Sequence, residues 1–153
     1  MPLKRILLAV DHGVSAACAT DLVTELAQAV GAEVAIFHAI DPKLYAKDVG
    51  LSPEILHANL QQDARELLAI VAARLRRSPP PSHLIRDGDP KHAIVAVARE
   101  WNAHLVVVGT HGRTGVSRLL LGSTAEYVVR HAPCPVLVAR RAASPTDGED
   151  TGQ

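Results

Sequence analysis

Short apolar runs alternate with amphipathic stretches along the whole of this 153-residue chain, and that alternation is what most limits the folds open to it. Strand-like runs lie at residues 6–10, 34–40, 83–86, 105–108 and 136–139, and four of the five are followed by a helical or partly helical stretch. Parallel strands need a crossover long enough to hold a helix, and such crossovers are right-handed. The pattern predicts an α/β protein of the doubly wound class, a mainly parallel sheet with helices on both faces. With 48% hydrophobic residues the chain can bury a core, and its length fits one domain. We expect that domain over residues 1–141. Residues 142–153 have no apolar period and read as a disordered tail.

Local signals set the helices. The first is expected to begin near Ser15 as its cap, to carry Leu22, Val23, Leu26, Ala27 and Val30 on one face, and to stop at Gly31. The second starts at Ser52-Pro53, a cap followed by proline at the first helical position, and repeats apolar residues from Ile55 through Leu60 and Leu68 to Val71, which makes it the longest. Asp89-Pro90 opens a third with Ile94, Val95, Val97 and Ala98 as its apolar surface, and a short fourth follows Gly122. Residues 41–51, with Pro42 and Gly50, are expected to form a loop able to act as a lid.

Composition excludes several roles. Sixteen basic residues against sixteen acidic ones leave no net charge, which argues against a nucleic-acid surface or a polybasic membrane contact. With neither a long apolar segment nor a signal-peptide pattern, the expected location is cytoplasmic. Cys18 and Cys134 have no metal or disulfide spacing and read as reduced thiols. The eight histidines, at 12, 38, 57, 83, 92, 104, 111 and 131, are scattered, so no metal cage built from protein side chains alone is expected.

Chemistry concentrates in residues 109–124. Gly109 and Gly112 permit a tight loop whose N–H groups point inward, and Arg113 adds a positive charge. Gly122-Ser123-Thr124 then opens a helix, whose N-terminus offers unpaired N–H groups and a partial positive charge to an anion, phosphate above all. No lysine precedes Ser123, as a P-loop requires, and the glycines are too far apart for the dinucleotide fingerprint. Taken singly, Gly109 reads as a strand end, Gly112 as a turn and Ser123 or Thr124 as a helix cap; only the combination points to a ligand.

That combination resembles the G-x2-G-x9-G-[ST] signature of the ATP-binding universal stress proteins, with all four positions matched by Gly109, Gly112, Gly122 and Ser123. The likeness extends to the first strand ending in Asp11, to Gly88-Asp-Pro90 and to residues 131–138, about residues 3–141 in all. It implies strand order 3-2-1-4-5, a Rossmann-like sheet of the adenine nucleotide alpha hydrolase type. That order brings Asp11 and Gly109 to the crevice where the winding reverses, the position at which open α/β sheets bind ligands. It further implies ATP with its phosphates over Gly109, Gly112, Gly122, Ser123 and Thr124, near Val108 and Arg113. Asp11 would face the ribose, and backbone at Ala9, Val10 and Ala39 the adenine. Read alone, Asp11 is equally a strand-end residue accepting a hydrogen bond in the Asp-His-Gly turn.

Mg2+ would come with the nucleotide, held mainly by phosphate oxygens. His12 stands where the family often has glycine, placed to crowd or contact the nucleotide, and His111 and Arg118 are further candidate phosphate contacts. No catalytic residue is assigned. Strand five would be an edge whose Val136, Leu137 and Val138 offer a ladder for a homodimer. The leading functional expectation is a universal stress protein with ATP as regulatory ligand. A slow ATPase or autophosphorylating enzyme and a nucleotide-independent dimeric module are the alternatives.

Overall fold

The computed structural model describes residues 2–45, 50–110 and 121–140. Five parallel strands form a single sheet: β1 (Arg5–Ala9), β2 (Glu33–Ile40), β3 (Ser82–Asp87), β4 (Leu105–Gly109) and β5 (Val136–Ala139). Their order across the sheet is β3-β2-β1-β4-β5, as the resemblance implies. The connecting helices are α1 (Ser15–Val30), α2 (Pro53–Leu75), α3 (Pro90–Glu100) and α4 (Ser123–His131), with a 3-10 turn at Pro42–Leu44.

The strands divide their side chains between two cores. Ile6 and Leu8 of β1 join Val34 and Ile36 of β2 and Val107 of β4 beneath α1 and α2, whereas Leu7, Phe37, Val106 and Val108 meet α3 and α4 on the other face. The alternation follows from the two-residue period of a strand, and the central strands are apolar in both phases because both faces are covered.

Most sequence signals reappear as local hydrogen bonds. Ser52 Oγ accepts from the Ile55 N–H at 3.4 Å, Asp89 Oδ1 accepts from the Lys91 N–H at 3.1 Å, and Gly31 ends α1 with φ of 68°. Ser15 differs from expectation. It is not the cap of α1 but its first residue, 3% exposed, with Val14 in the cap position and no side-chain cap bond. The face expected of α1 does meet the core, with Val23 and Ala27 buried and Leu22 and Leu26 packed against the same cluster; it extends to Ala19 and Thr20 and ends before Val30, which is 47% exposed. Thr20 is tolerated in that core because its hydroxyl donates to the Ala16 carbonyl at 2.6 Å. At the start of α2 Ile55 is also exposed, since the buried positions of that helix begin only at Ala64.

On α2 the contrast between buried and exposed positions gives a direct test. Leu68 is fully buried, so Leu68→Ala should cost about 3 kcal/mol of unfolding free energy from lost transfer and cavity energy. Ile70, 68% exposed, should lose no more than about 0.5 kcal/mol on the same replacement. Urea denaturation of the two variants checks both values.

Candidate functional site

A cavity of about 720 Å³ opens at the C-terminal ends of β1, β2 and β4, where the winding of the sheet reverses. Its position follows from the chain path. After β1 the backbone leads to α1 on one face, and α4, which follows β4, lies on the other, so the described residues leave a gap between them. Its volume is in the range of small-molecule sites, roughly 300–1,000 Å³.

Nine of the eleven residues that the resemblance assigns to ATP line it. Ala9, Val10 and Asp11 come from the end of β1, Ala39 from β2, and Val108 and Gly109 from β4. Gly122, Ser123 and Thr124 enter from the start of α4. Gly112 and Arg113, with His111 and Arg118, lie outside the described residues.

Asp11 combines the two readings open to it. One carboxylate oxygen accepts the Gly13 N–H at 2.7 Å, which builds the turn into α1, while the residue stands in the wall of the cavity. His38 is held by a 2.8 Å bond from Nδ1 to the Val10 carbonyl. A carbonyl can only accept, so Nδ1 carries the hydrogen. The His12 ring stands edge-on to His38, 5.6 Å between centroids at 76°, so it forms part of the wall.

Glycine is required at two places by close approach. A Cβ on Gly109 would lie 2.5 Å from Ser15 Oγ and 2.8 Å from Ser15 Cβ. A Cβ on Gly122 would lie 2.8 Å from the Thr110 carbonyl oxygen, which accepts the Gly122 N–H at 3.1 Å. Thr110 itself is buried and donates its N–H to the Ala139 carbonyl, so one residue ties the end of β4 to both β5 and α4. Gly122 occupies the cap position of α4 with no side-chain cap bond. Ser123 and Thr124 are therefore not caps, and the first-turn N–H groups of α4 face a lining rather than a capping side chain.

The charged groups of the described lining are Asp11, Asp41 and Asp63, without Lys or Arg. Attraction for an anion thus comes there from the α4 N-terminus. Among the described residues no group of three or more His, Cys, Asp or Glu side chains is placed to hold a metal ion. The resolved pKa shifts lie away from the crevice. Arg74 hydrogen-bonds Asp21 and lowers its pKa, Arg86 does the same for Glu100, and burial pushes the Cys134 thiol up, so that thiol stays protonated.

Sequence reasoning passed over Asp41, Leu44, Tyr45, Leu60, Asp63 and Thr110, all of which line the cavity. Leu60 and Asp63 are one helical turn apart on α2, and Tyr45 is the aromatic residue of the loop expected to cover the crevice. Those were usable signals. Thr110, between two glycine-loop positions, had none. Residues 46–49 of that loop lie outside the described residues.

The fold and crevice define a class: a doubly wound α/β protein with a small-molecule cavity at its switch point and a glycine-capped helix aimed into it. A sequence model of the universal stress protein family matches residues 2–140, and the chain belongs to that family. A universal stress protein of Thermus aquaticus is 36% identical over 137 residues, covering 90% of this chain and 98% of the relative. The solved structure of hypothetical protein MJ0577 superposes with a TM-score of 0.82 at 28% identity, over 94% of this chain and 100% of that one. A universal stress protein from Archaeoglobus fulgidus, solved in complex with dAMP, shares the fold at a TM-score of 0.63 and 24% identity, over 91% and 99% of the two chains.

The Gly109–Ser15 approach predicts a compensating pair. Gly109→Ala should destabilise the protein by about 1–3 kcal/mol as an overpacked contact. Adding Ser15→Gly should recover at least about 1 kcal/mol of that loss relative to the sum of the single changes. A double-mutant cycle of urea denaturation measures the coupling.

Proposed function

We propose that this chain binds ATP with Mg2+ in the switch-point crevice, as the regulatory ligand of a cytoplasmic universal stress protein acting in stress response. The observation that carries the reading is the convergence of the glycine-capped α4 N-terminus, Asp11 and the strand-end backbone of Ala9, Val10 and Ala39 on one cavity. Phosphates would meet the N–H groups at Ser123 and Thr124, with Gly112 and Arg113 completing the loop, and the second oxygen of Asp11 would accept from a ribose hydroxyl. A Cβ at Gly122 would displace the carbonyl that positions this cradle, so the residue present fits the group. Mg2+, carried by the phosphates, would offset their charge in a lining whose described carboxylates repel it. The dAMP of the Archaeoglobus fulgidus protein is an adenine nucleotide on the same fold.

ATP is placed here as a ligand rather than a substrate because the polar wall is engaged in structure: Asp11 holds the Gly13 N–H and His38 the Val10 carbonyl. Isothermal titration with Mg-ATP, together with mass spectrometry of nucleotide released from the purified protein, tests the reading. Gly122→Val and Asp11→Asn should each weaken ATP binding by about tenfold or more, the loss expected for a buried charge-assisted contact. Absence of titratable ATP binding to the wild-type protein would overturn it.

A homodimer through β5 belongs to the same proposal. β5 is the outer strand of the sheet, with Val136, Leu137 and Val138 half-buried. Val106 donates to the Pro135 carbonyl and Thr110 to the Ala139 carbonyl, so odd-numbered residues of β5 turn their backbone groups toward β4. Val136 and Val138 turn theirs outward, by the two-residue period. Val138→Pro should therefore yield a folded monomer, whereas Leu137→Pro should break the inner ladder and destabilise the sheet. Sedimentation velocity and thermal unfolding separate the two outcomes.

A further inference from the structure

At the opposite end of the sheet from the crevice lies a second, open pocket of about 470 Å³. It is lined by Arg5 at the start of β1, His104 just before β4, and Arg99 and Asn102 at and just past the end of α3. Pro133, ahead of β5, also lines it. We propose that this pocket is an oxyanion site for a doubly charged ligand of the phosphate class, independent of the nucleotide reading.

Its polar side chains include two guanidinium groups and an imidazole N–H as donors. The Lys4 N–H donates to His104 Nδ1 at 3.0 Å, which fixes that nitrogen as an acceptor and puts the ring hydrogen of the neutral imidazole on Nε2. Arg5 and Arg99 add guanidinium groups, Asn102 an amide, and the lining contains no Asp or Glu. Cations on the neighbouring elements are matched differently: Arg86 pairs with Glu100 at 2.6 Å and Arg130 with Glu126 at 2.9 Å. Among the described residues Arg5 and Arg99 have no carboxylate partner. Arg5 stands 6.0 Å from the centroid of the Trp101 ring, and Arg99 reaches only the His131 carbonyl at 3.4 Å. Glu33, the register partner of Arg5 on β2, is outside the lining.

The C-terminus of α3 opposes an anion here, because its last carbonyls carry a partial negative charge of about half an electron. Those carbonyls are largely satisfied: Val97 accepts from Trp101, Ala98 from Ala103 and Arg99 from Asn102. Two guanidinium charges exceed the remaining dipole several-fold. Their sum approaches the charge of a dianion, and Arg forks suit planar or tetrahedral oxyanions.

Trp101 is the single tryptophan of the chain, so its fluorescence reports this pocket and not the crevice. Titration with inorganic phosphate, with glycerol phosphate and with acetate at constant ionic strength should give a saturable change for the first two and none for acetate. A tighter response to glycerol phosphate assigns the ligand to phosphomonoesters, and an equal or tighter response to inorganic phosphate assigns it to the free ion. Arg5→Gln and Arg99→Gln should each raise the apparent Kd by about fivefold or more. Arg99 is exposed on α3, so Arg99→Gln keeps the test decisive if Arg5→Gln disturbs folding, which circular dichroism would reveal. No saturable response to either phosphate, an equal response to acetate, or a response unchanged in folded Arg99→Gln overturns the proposal.

Discussion

The pairing of β1 with β4 at the centre of the sheet is the contact on which the rest of the molecule depends. Ile6, Leu7 and Leu8 lie opposite Leu105, Val106 and Val107, and all but Leu105 among them are completely shielded from solvent. A slip of one residue would exchange the two cores, sending Leu7 toward α1 and α2 and its neighbours toward α3 and α4. This pair is also where the order of the strands departs from the order of the chain. The same hydrogen-bonded ladder therefore holds the two cores in register and sets the strand ends between which the crevice opens.

Backbone proximity then shapes the crevice. Ser15 fits because Gly109 has no side chain, and α1 consequently starts against the end of β4. Thr110 passes its N–H to β5 and its carbonyl to Gly122, so the chain leaves the sheet and returns to it within one hydrogen bond. Whatever conformation the intervening residues take, their two ends are fixed next to Asp11 and Ala39. Such anchoring favours a preorganised ligand site, since the ordering of the loop ends is completed on folding rather than on binding.

Fold legibility was high where a signal is repeated along an element and low where it depends on a single tertiary contact. Apolar periodicity marked all five strands to within a residue and located all four helices, though α2 runs on past Val71 to Leu75, and the caps at Ser52, Asp89 and Gly31 work through local bonds that sequence encodes directly. Ser15 carried the same residue type as a cap but is buried by Gly109, a partner 94 positions away that no local rule brings near. Thr20 escaped for a related reason: it satisfies its hydroxyl within its own helix and enters the core as if apolar, beside the expected stripe. In the crevice, the glycines and Asp11, each ordinary at a strand end or turn, were visible through their combined spacing. Leu60, Asp63 and Tyr45 reach it only through the packing of α2 and the loop before it, and residue type alone does not reveal that.

Parallel winding also sorts charge along the molecule. Every strand points the same way and every helix returns, so helix N-termini gather at the crevice end and C-termini at the other. At the first end the helix N-terminus supplies positive potential to the described lining, which is why that lining, with three aspartates and no Lys or Arg, is still suited to an anion at α4. At the second end the dipoles are reversed, and basic side chains are the stabilising complement there. Arg99 in the last turn of α3 and Arg130 in the last turn of α4 fit that rule. Arg5 does not belong to a helix and goes beyond it. With Arg130 already neutralised by Glu126, the charge of Arg5 and Arg99 exceeds what one helix end requires, and that surplus distinguishes a pocket able to hold an oxyanion from ordinary dipole compensation.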